Sequence, residues 1–260
     1  SEYATTKFTD LAIDWVDAQA QPWFLWLAYN APHTPFHLPP NNLHSQGNLP
    51  EDEATIEANP LPYYQAMLEA MDHEIGRLLG SMTEAVRENT VVIFVGDNGT
   101  PNEVVQVYSS NRAKGSIYQG GVNVPMVISG KNVSRSNETD QTLINTTDIF
   151  TTIANISEAG SSNSRDSHSF LEALTNSDFE SREFVYTEKY NVQSLGSDYT
   201  IRNSTHKYIY FNNGNEALFN LVENPLESPN LLNANQLPLS APDSAAKTSL
   251  INELSIIRQN

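Results

Sequence analysis

No cysteine occurs among the 260 residues. That excludes disulfides, a thiolate nucleophile and a Cys-based zinc site. Basic residues are scarce as well: 14 Lys and Arg stand against 31 Asp and Glu, a formal net charge of −17. Such a balance argues against nucleic acid and against anionic membranes as partners. It leaves an anionic small substrate open, because a few local cations govern the field inside a cleft. No apolar run approaches the length of a bilayer span, so membrane insertion is not expected. Ser1-Glu2-Tyr3-Ala4 opens no basic-then-apolar signal peptide. What is present is 39% hydrophobic residues, enough for one large α/β domain, or one domain with a small appendage. Besides Asn98-Gly99-Thr100, five Asn-x-Ser/Thr triplets (Asn132, Asn137, Asn145, Asn155, Asn203) are read as chance in a chain rich in Asn and Ser.

The most chemically telling stretch is Thr90 to Thr100, T-V-V-I-F-V-G-D-N-G-T. Val91 to Val95 is an unbroken apolar, β-branched or aromatic run, the pattern of a strand covered on both faces in a parallel sheet. Asp97 and Asn98 follow directly. Two oxygen donors just past a strand's carboxyl end suit a hard cation such as Ca²⁺ or Mg²⁺. By themselves they also suit a plain Asn-Gly turn.

The remaining organisation reads as follows. Thr5 to Ala20 has helical spacing, with Thr6 or Thr9 as cap and Phe8, Leu11, Ala12, Trp15 and Val16 on the apolar face. Trp23 to Tyr29 reads as a second buried strand. Asn30 to Pro40 holds Pro32, Pro35, Pro39 and Pro40 and must be a loop, with His33, Thr34 and His37 inside it. Asn41 to Pro62 reads as a long acidic connection. Tyr63 to about Val86 is an amphipathic helix presenting Tyr64, Met67, Leu68, Met71, Ile75, Leu78 and Leu79. Strand, helix and strand in that order imply a right-handed parallel connection. Val124 to Ser129 is a third strand with Pro125 near its start, and Asp148 to Ala159 is a helix capped by Asp148 or Thr147. Ser161 to Ser169 reads as a linker. Beyond it, Phe184–Tyr190, Tyr199–Arg202, Lys207–Phe211 and Ala217–Leu221 form an antiparallel meander with a turn at Asn212-Asn213-Gly214, and Ala241 to Arg258 is a closing helix.

Three segments then stand together, each beside a strand end: A-P-H-T-P, D-N-G, and K-G-S-I-Y-Q-G-G-V-N-V-P. With Y-Y-Q-A-M-L-E-A-M-D-H-E-I-G-R-L-L in the long helix and A-L-F-N-L-V-E-N-P-L-E-S-P-N-L near the end, the order resembles the second half of the sulfatases, in the alkaline-phosphatase-like superfamily. The resemblance covers nearly the whole chain. It implies an α/β fold: an incomplete alkaline-phosphatase-like sheet with flanking helices, plus a small C-terminal antiparallel β subdomain with a helix. The corresponding boundaries are 1–160 for the core, 161–180 for a linker region, and 181–260 for the sheet and closing helix.

By the same resemblance, Asp97 and Asn98 are ligands of Ca²⁺ or Mg²⁺. Lys114 places its ammonium on a sulfate oxygen. His33 contacts the sulfate or the leaving oxygen, as a general acid. These groups suit the chemistry: a tetrahedral ester gathers negative charge on the departing oxygen, which a metal, a lysine and a proton donor stabilise together. His37, His44, His73, His168 and His206 are read as ordinary structural histidines. Gln119 and Asn123 stand where the family commonly has acidic and basic residues.

The family's nucleophile is a formylglycine made within a Cys/Ser-x-Pro-x-Arg motif, and two further metal-binding aspartates precede it. Neither is found in this chain. Its loose match, Ser161-Ser162-Asn163-Ser164-Arg165, lacks the proline. The expectation is therefore a sulfatase portion lacking its N-terminal half, inactive alone. Its substrate would be a sulfated small molecule or carbohydrate, and its compartment, by resemblance, the periplasm or the exterior. A phosphodiesterase or phosphonate monoester hydrolase of the same superfamily is the enzymatic alternative; a non-catalytic binding remnant is the other.

Overall fold

A computed structural model describes residues 2–159, 166–180, 182–193 and 195–259. The Ser161–Arg165 segment, with its loose nucleophile match, lies outside them. The chain divides into two compact units, Ser1–Thr90 and Val91–Asn260. No helix among the described residues is long and apolar enough to cross a membrane.

In the first unit, α1 (Ala4–Asp17) packs on α3 (Leu61–Ser81) through Ala12, Val16, Leu78 and Met82. The buried stripe of α1 is Thr5, Thr9, Ala12 and Val16, whereas Leu11 and Trp15 are 54% and 41% exposed. The expected face is thus rotated, and the fully buried Thr9 is tolerable there because its hydroxyl is satisfied. Thr9 Oγ1 donates to Thr5 O at 2.9 Å and meets Tyr29 Oη at 2.8 Å. Neither Thr6 nor Thr9 caps the helix; Tyr3 holds that position without a side-chain bond. A buried carboxylate joins the two helices: Glu74 accepts from Thr6 Oγ1 at 2.9 Å and from Arg77 Nε at 2.8 Å, and Arg77 also pairs with Asp10.

Trp23–Tyr29 is extended but pairs with no strand among the described residues, against expectation. Its alternation is real: Trp23, Leu25 and Leu27 pack on the α1/α3 core, while Phe24 and Trp26 point outward at 63% and 83% exposure. Two short helices were not foreseen in the sequence. α2 (Glu53–Ala58) is capped by Asp52 inside the supposed loop, and α4 (Glu84–Glu88), capped by Thr83, follows a break at Met82 that ends α3 early.

In the second unit β1 (Val91–Val95) pairs with β2 (Met126–Gly130) antiparallel, Val91 opposite Gly130 and Val95 opposite Met126. The parallel sheet expected around Val91–Val95 is therefore corrected to an antiparallel pair, and the expected strand–helix–strand unit lacks its first strand, because Trp23–Tyr29 forms none among the described residues. β1 is half-buried along its whole length, not sealed on both faces, and apolar periodicity alone does not encode strand direction. After α5 (Gln119–Val122), β2 begins just past Pro125, whose carbonyl accepts from Gly96 N at 2.9 Å. α6 (Asp148–Ile156) starts at a carboxylate with no exposure: Asp148 accepts from Asn145 N and His168 N and is bridged by Arg182.

The meander is as expected. β3 (Val185–Asn191), β4 (Gly196–Arg202), β5 (His206–Tyr210) and β6 (Glu216–Asn220) lie in chain order, all antiparallel. Gly214, at φ 85, makes the β5–β6 turn that a residue with Cβ would strain. One face of the sheet packs Ile201, Tyr208 and Leu218 on Leu250 and Leu254 of α7 (Ala241–Ile257), which is capped by Ser240. The opposite face packs Ile209, Ala217 and Phe219 on Ile117, in the loop that carries Lys114. The small sheet therefore backs that loop directly.

Candidate active site

Asp97 and Asn98 leave β1 as an exposed and a half-buried side chain, with Asn98 Nδ2 donating to Gly99 O at 3.1 Å. The next residue explains the glycines of this region. Gly99 N donates to Gly121 O at 3.1 Å, and a Cβ on Gly99 would fall 2.0 Å from Gly120 O. A Cβ on Gly121 would in turn fall 2.2 Å from Ser116 O. Only bare backbones pass this closely. Lys114 N donates to Thr100 O at 3.0 Å, so the D-N-G and K-G-S-I-Y-Q-G-G segments are cross-linked at two points. The motif residues hold two loops together as well as carrying functional groups.

Lys114 is half-buried. Neither its ammonium nor the Asp97 carboxylate has a hydrogen bond or ion pair among the described residues. The same loop meets a buried charged cluster, in which Glu227 Oε1 has Lys207 at ion-pair distance but no hydrogen-bond partner among the described residues. Glu227, with no exposure, accepts from Gln119 N through Oε2 at 2.7 Å and faces Lys207 Nζ through Oε1 at 2.8 Å. Its carbonyl accepts from Arg112 Nη1. Lys207 also donates to Gln119 Oε1 at 3.3 Å, and the Arg112 guanidinium lies 4.5 Å from the centre of the Tyr118 ring. Burial pushes the Lys207 ammonium down to about 8, against the opposing pull of Glu227. Burial likewise raises the Tyr118 phenol.

Arg112, Lys207 and Glu227 were not singled out in the sequence. The E-N-P-L-E-S-P-N-L segment enters the sequence reading only as part of a family motif, and nothing local in it distinguishes a buried carboxylate from a surface one. Gln119 was singled out, as a departure from the family pattern, and it is the residue through which the buried pair meets the Lys114 loop.

His33 lies in the other unit, exposed in a turn closed by its own N–H to Asn30 O at 2.9 Å. Thr34 O, 2.8 Å from Nδ1, can only accept, which puts a proton on Nδ1 and leaves Nε2 without a hydrogen bond among the described residues. The ring is thus oriented by its neighbour's backbone, as a proton donor or anion contact requires.

The donor set for a cation is short. Asp97 and Asn98 offer two oxygens where Ca²⁺ takes six to eight, and no cluster of three acidic or histidine groups occurs among the described residues. These two side chains fit the edge of a cation site and do not make one.

The family model described as Sulfatase matches residues 1–159. The chain belongs to the sulfatase family. A sulfatase of Formosa agariphila is 26% identical over 178 residues, 61% of this chain and 30% of that protein. An ulvan-active sulfatase of the same organism is 30% identical over 129 residues, 49% of this chain and 19% of that protein. The chain spans less than a third of the length of these relatives. The solved structure of Ps i-CgsB superposes with a TM-score of 0.77 at 22% identity, over 98% of this chain and 55% of that one, and that protein is also solved in complex with k-i-k-neocarrahexaose. A further solved structure, with a TM-score of 0.63 at 19% identity, covers 76% of this chain and 41% of its own, in complex with its substrate D-glucosamine-2-N,6-O-disulfate. The phosphonate monoester hydrolase of Agrobacterium radiobacter gives a TM-score of 0.69 at 18% identity, over 99% of this chain and 62% of that one. At these identities the structures speak for the fold, which is that of the alkaline-phosphatase-like superfamily. The likeness includes the meander and α7, beyond the residues that the family model matches.

Proposed function

We propose that this chain is the C-terminal part of a sulfuric ester hydrolase acting on a sulfated carbohydrate. One observation carries the reading: in a chain of net charge −17, the Lys114 ammonium is half-buried and unpaired among the described residues, on a loop bonded to the Asp97–Asn98 corner. A lysine left without a carboxylate partner among so many carboxylates is suited to an incoming anion. Sulfatase membership, and the disulfated glucosamine bound as substrate in one structural neighbour, support a sulfate ester as that anion.

In this reading Lys114 donates to a sulfate oxygen and draws off the charge that grows as the ester bond breaks. His33, with Nδ1–H fixed on Thr34 O, protonates the leaving oxygen through Nε2 when doubly protonated. Asp97 and Asn98 contribute two oxygens to a Ca²⁺ or Mg²⁺ ion, which when bound would neutralise further charge on the ester. The other ligands and the formylglycine nucleophile belong to sequence outside these 260 residues, consistent with the chain's share of its relatives' length. By family likeness the enzyme works in the periplasm or outside the cell. The likeness to a phosphonate monoester hydrolase keeps a second reading, since the same four residues serve either tetrahedral anion.

A longer polypeptide carrying a Cys/Ser-x-Pro-x-Arg motif upstream should release sulfate from sulfated oligosaccharides, with Lys114→Ala lowering kcat/KM about 10²- to 10³-fold. The purified 260-residue chain, its mass confirmed, should give no turnover. Turnover by that chain alone would refute the division of the site. Faster cleavage of phosphonate or phosphodiester substrates would transfer the enzyme to the second reading.

A further inference from the structure

Arg112 and Gln119 flank Lys114 on either side, and one residue far along the chain grips both. Glu227 takes Arg112 Nη1 on its carbonyl and Gln119 N–H on its carboxylate. We propose that Glu227 is a positioning residue for Lys114, clamping both ends of the Lys114 loop so that its ammonium meets the ester; this rests on the sulfatase reading above.

Three features make the contact more than ordinary core packing. First, Glu227 has φ 60, the left-handed region that a residue with Cβ enters at a cost and keeps where its surroundings over-determine it. Here its backbone and both carboxylate oxygens are aimed at separate partners. Second, a buried ion pair such as Lys207–Glu227 gives little net stability compared with apolar packing of the same shape, so its geometry is the more telling property. That geometry delivers one carboxylate oxygen to the first N–H of α5, the other to Lys207, and Lys207 back to the Gln119 side chain. Third, the clamp is continuous with the site. α5 carries Gly120 and Gly121, against which Gly99 packs at the backbone contact behind Asp97 and Asn98. A shift of α5 moves the anion-facing lysine and the proposed metal corner together.

The test is amide hydrogen exchange of the 260-residue chain, read separately over residues 112–122 and over α7. Glu227→Gly removes the carboxylate while suiting the left-handed backbone. It should speed exchange over 112–122 at least tenfold and leave α7 within twofold of the parent. The isosteric pair Lys207→Met with Glu227→Gln keeps an acceptor for Gln119 N–H without either charge, and should restore protection over 112–122. Unchanged exchange over 112–122 in Glu227→Gly, equal acceleration of α7, or failure of the double variant to restore protection would each overturn the clamp. No outcome of this experiment depends on catalysis. In the complete enzyme, Glu227→Gly should lower kcat and the double variant should recover it. Absence of any sulfatase activity in that enzyme would refute the functional reading while leaving the exchange result standing.

Discussion

Lys207 shows how far a single residue's surroundings depart from what its letter suggests. It lies in a strand reading H-K-Y-I-Y, where a lysine is ordinarily a solvated edge charge, yet it is 1% exposed. Burial holds its ammonium down to about 8, from a reference of 10.5. The sign of the pH dependence follows. Between about pH 8 and 10.5 the unfolded chain keeps a proton that the folded chain has released, so folding gains as pH rises through that window. The slope is at most about 1.4 kcal/mol per pH unit. Below pH 8 both states are protonated and the burial cost is present in full. Urea unfolding at two pH values inside the window should show the parent gaining stability relative to the Lys207→Met/Glu227→Gln variant. Parallel behaviour of the two proteins would disprove it. Neither Lys207 nor Glu227 was legible as a pair, since they are twenty positions apart and meet only through the β5–β6 register and the turn that follows. Asp97 and Asn98 are legible as oxygen donors just past a strand end, and Lys114 through the family resemblance; the structure adds what the glycines beside them are for.

At the scale of elements, legibility followed how local the determinants are. The meander and α7 matched their expected places because alternation, the Asn-Asn-Gly turn and the Ser240 cap are written within a few residues of each element. The α1 face was misread because hydrophobicity was taken as the guide. Thr5 and Thr9 are buried instead, and the Thr9 hydroxyl finds partners at Tyr29 and at the Thr5 carbonyl. Trp23–Tyr29 shows the reverse: its periodicity was legible and its partner was not, because pairing is a property of two segments. α6 depends on a contact of the same non-local kind. Asp148 has no exposure and is bridged by Arg182, which also donates to Asp166 O. Arg182→Ala strands a buried carboxylate and should cost about 3–5 kcal/mol in urea unfolding. Replacing both by Arg182→Met and Asp148→Asn should cost clearly less, since no charge is then left alone. Equal losses would show that the helix relies on packing at that point and not on the pair.

Over the whole molecule, the order of motifs identified the family from sequence, although no single motif sufficed, and the fold match extends to 98% of the chain. Charge acts at the same scale and separates a general effect from a specific one. A chain of net charge −17 is stabilised by any divalent cation through screening of its self-repulsion. A built calcium site would respond differently, and the two oxygens of Asp97 and Asn98 leave roughly four or more coordination positions to be filled from elsewhere. With a dissociation constant of about 10 mM or weaker, about 1 mM Ca²⁺ adds only about 0.1 kcal/mol by mass action. That is far less than the kcal/mol or so needed to move the melting temperature of a chain this size by a few degrees. Thermal melts of the 260-residue chain should therefore respond equally to Ca²⁺ and Mg²⁺, and Asp97→Asn should respond like the parent. A calcium-specific rise of several degrees, abolished by Asp97→Asn, would mean that this chain completes the cation site with oxygens of its own. In that case the division of the site between this chain and sequence outside it would be wrong.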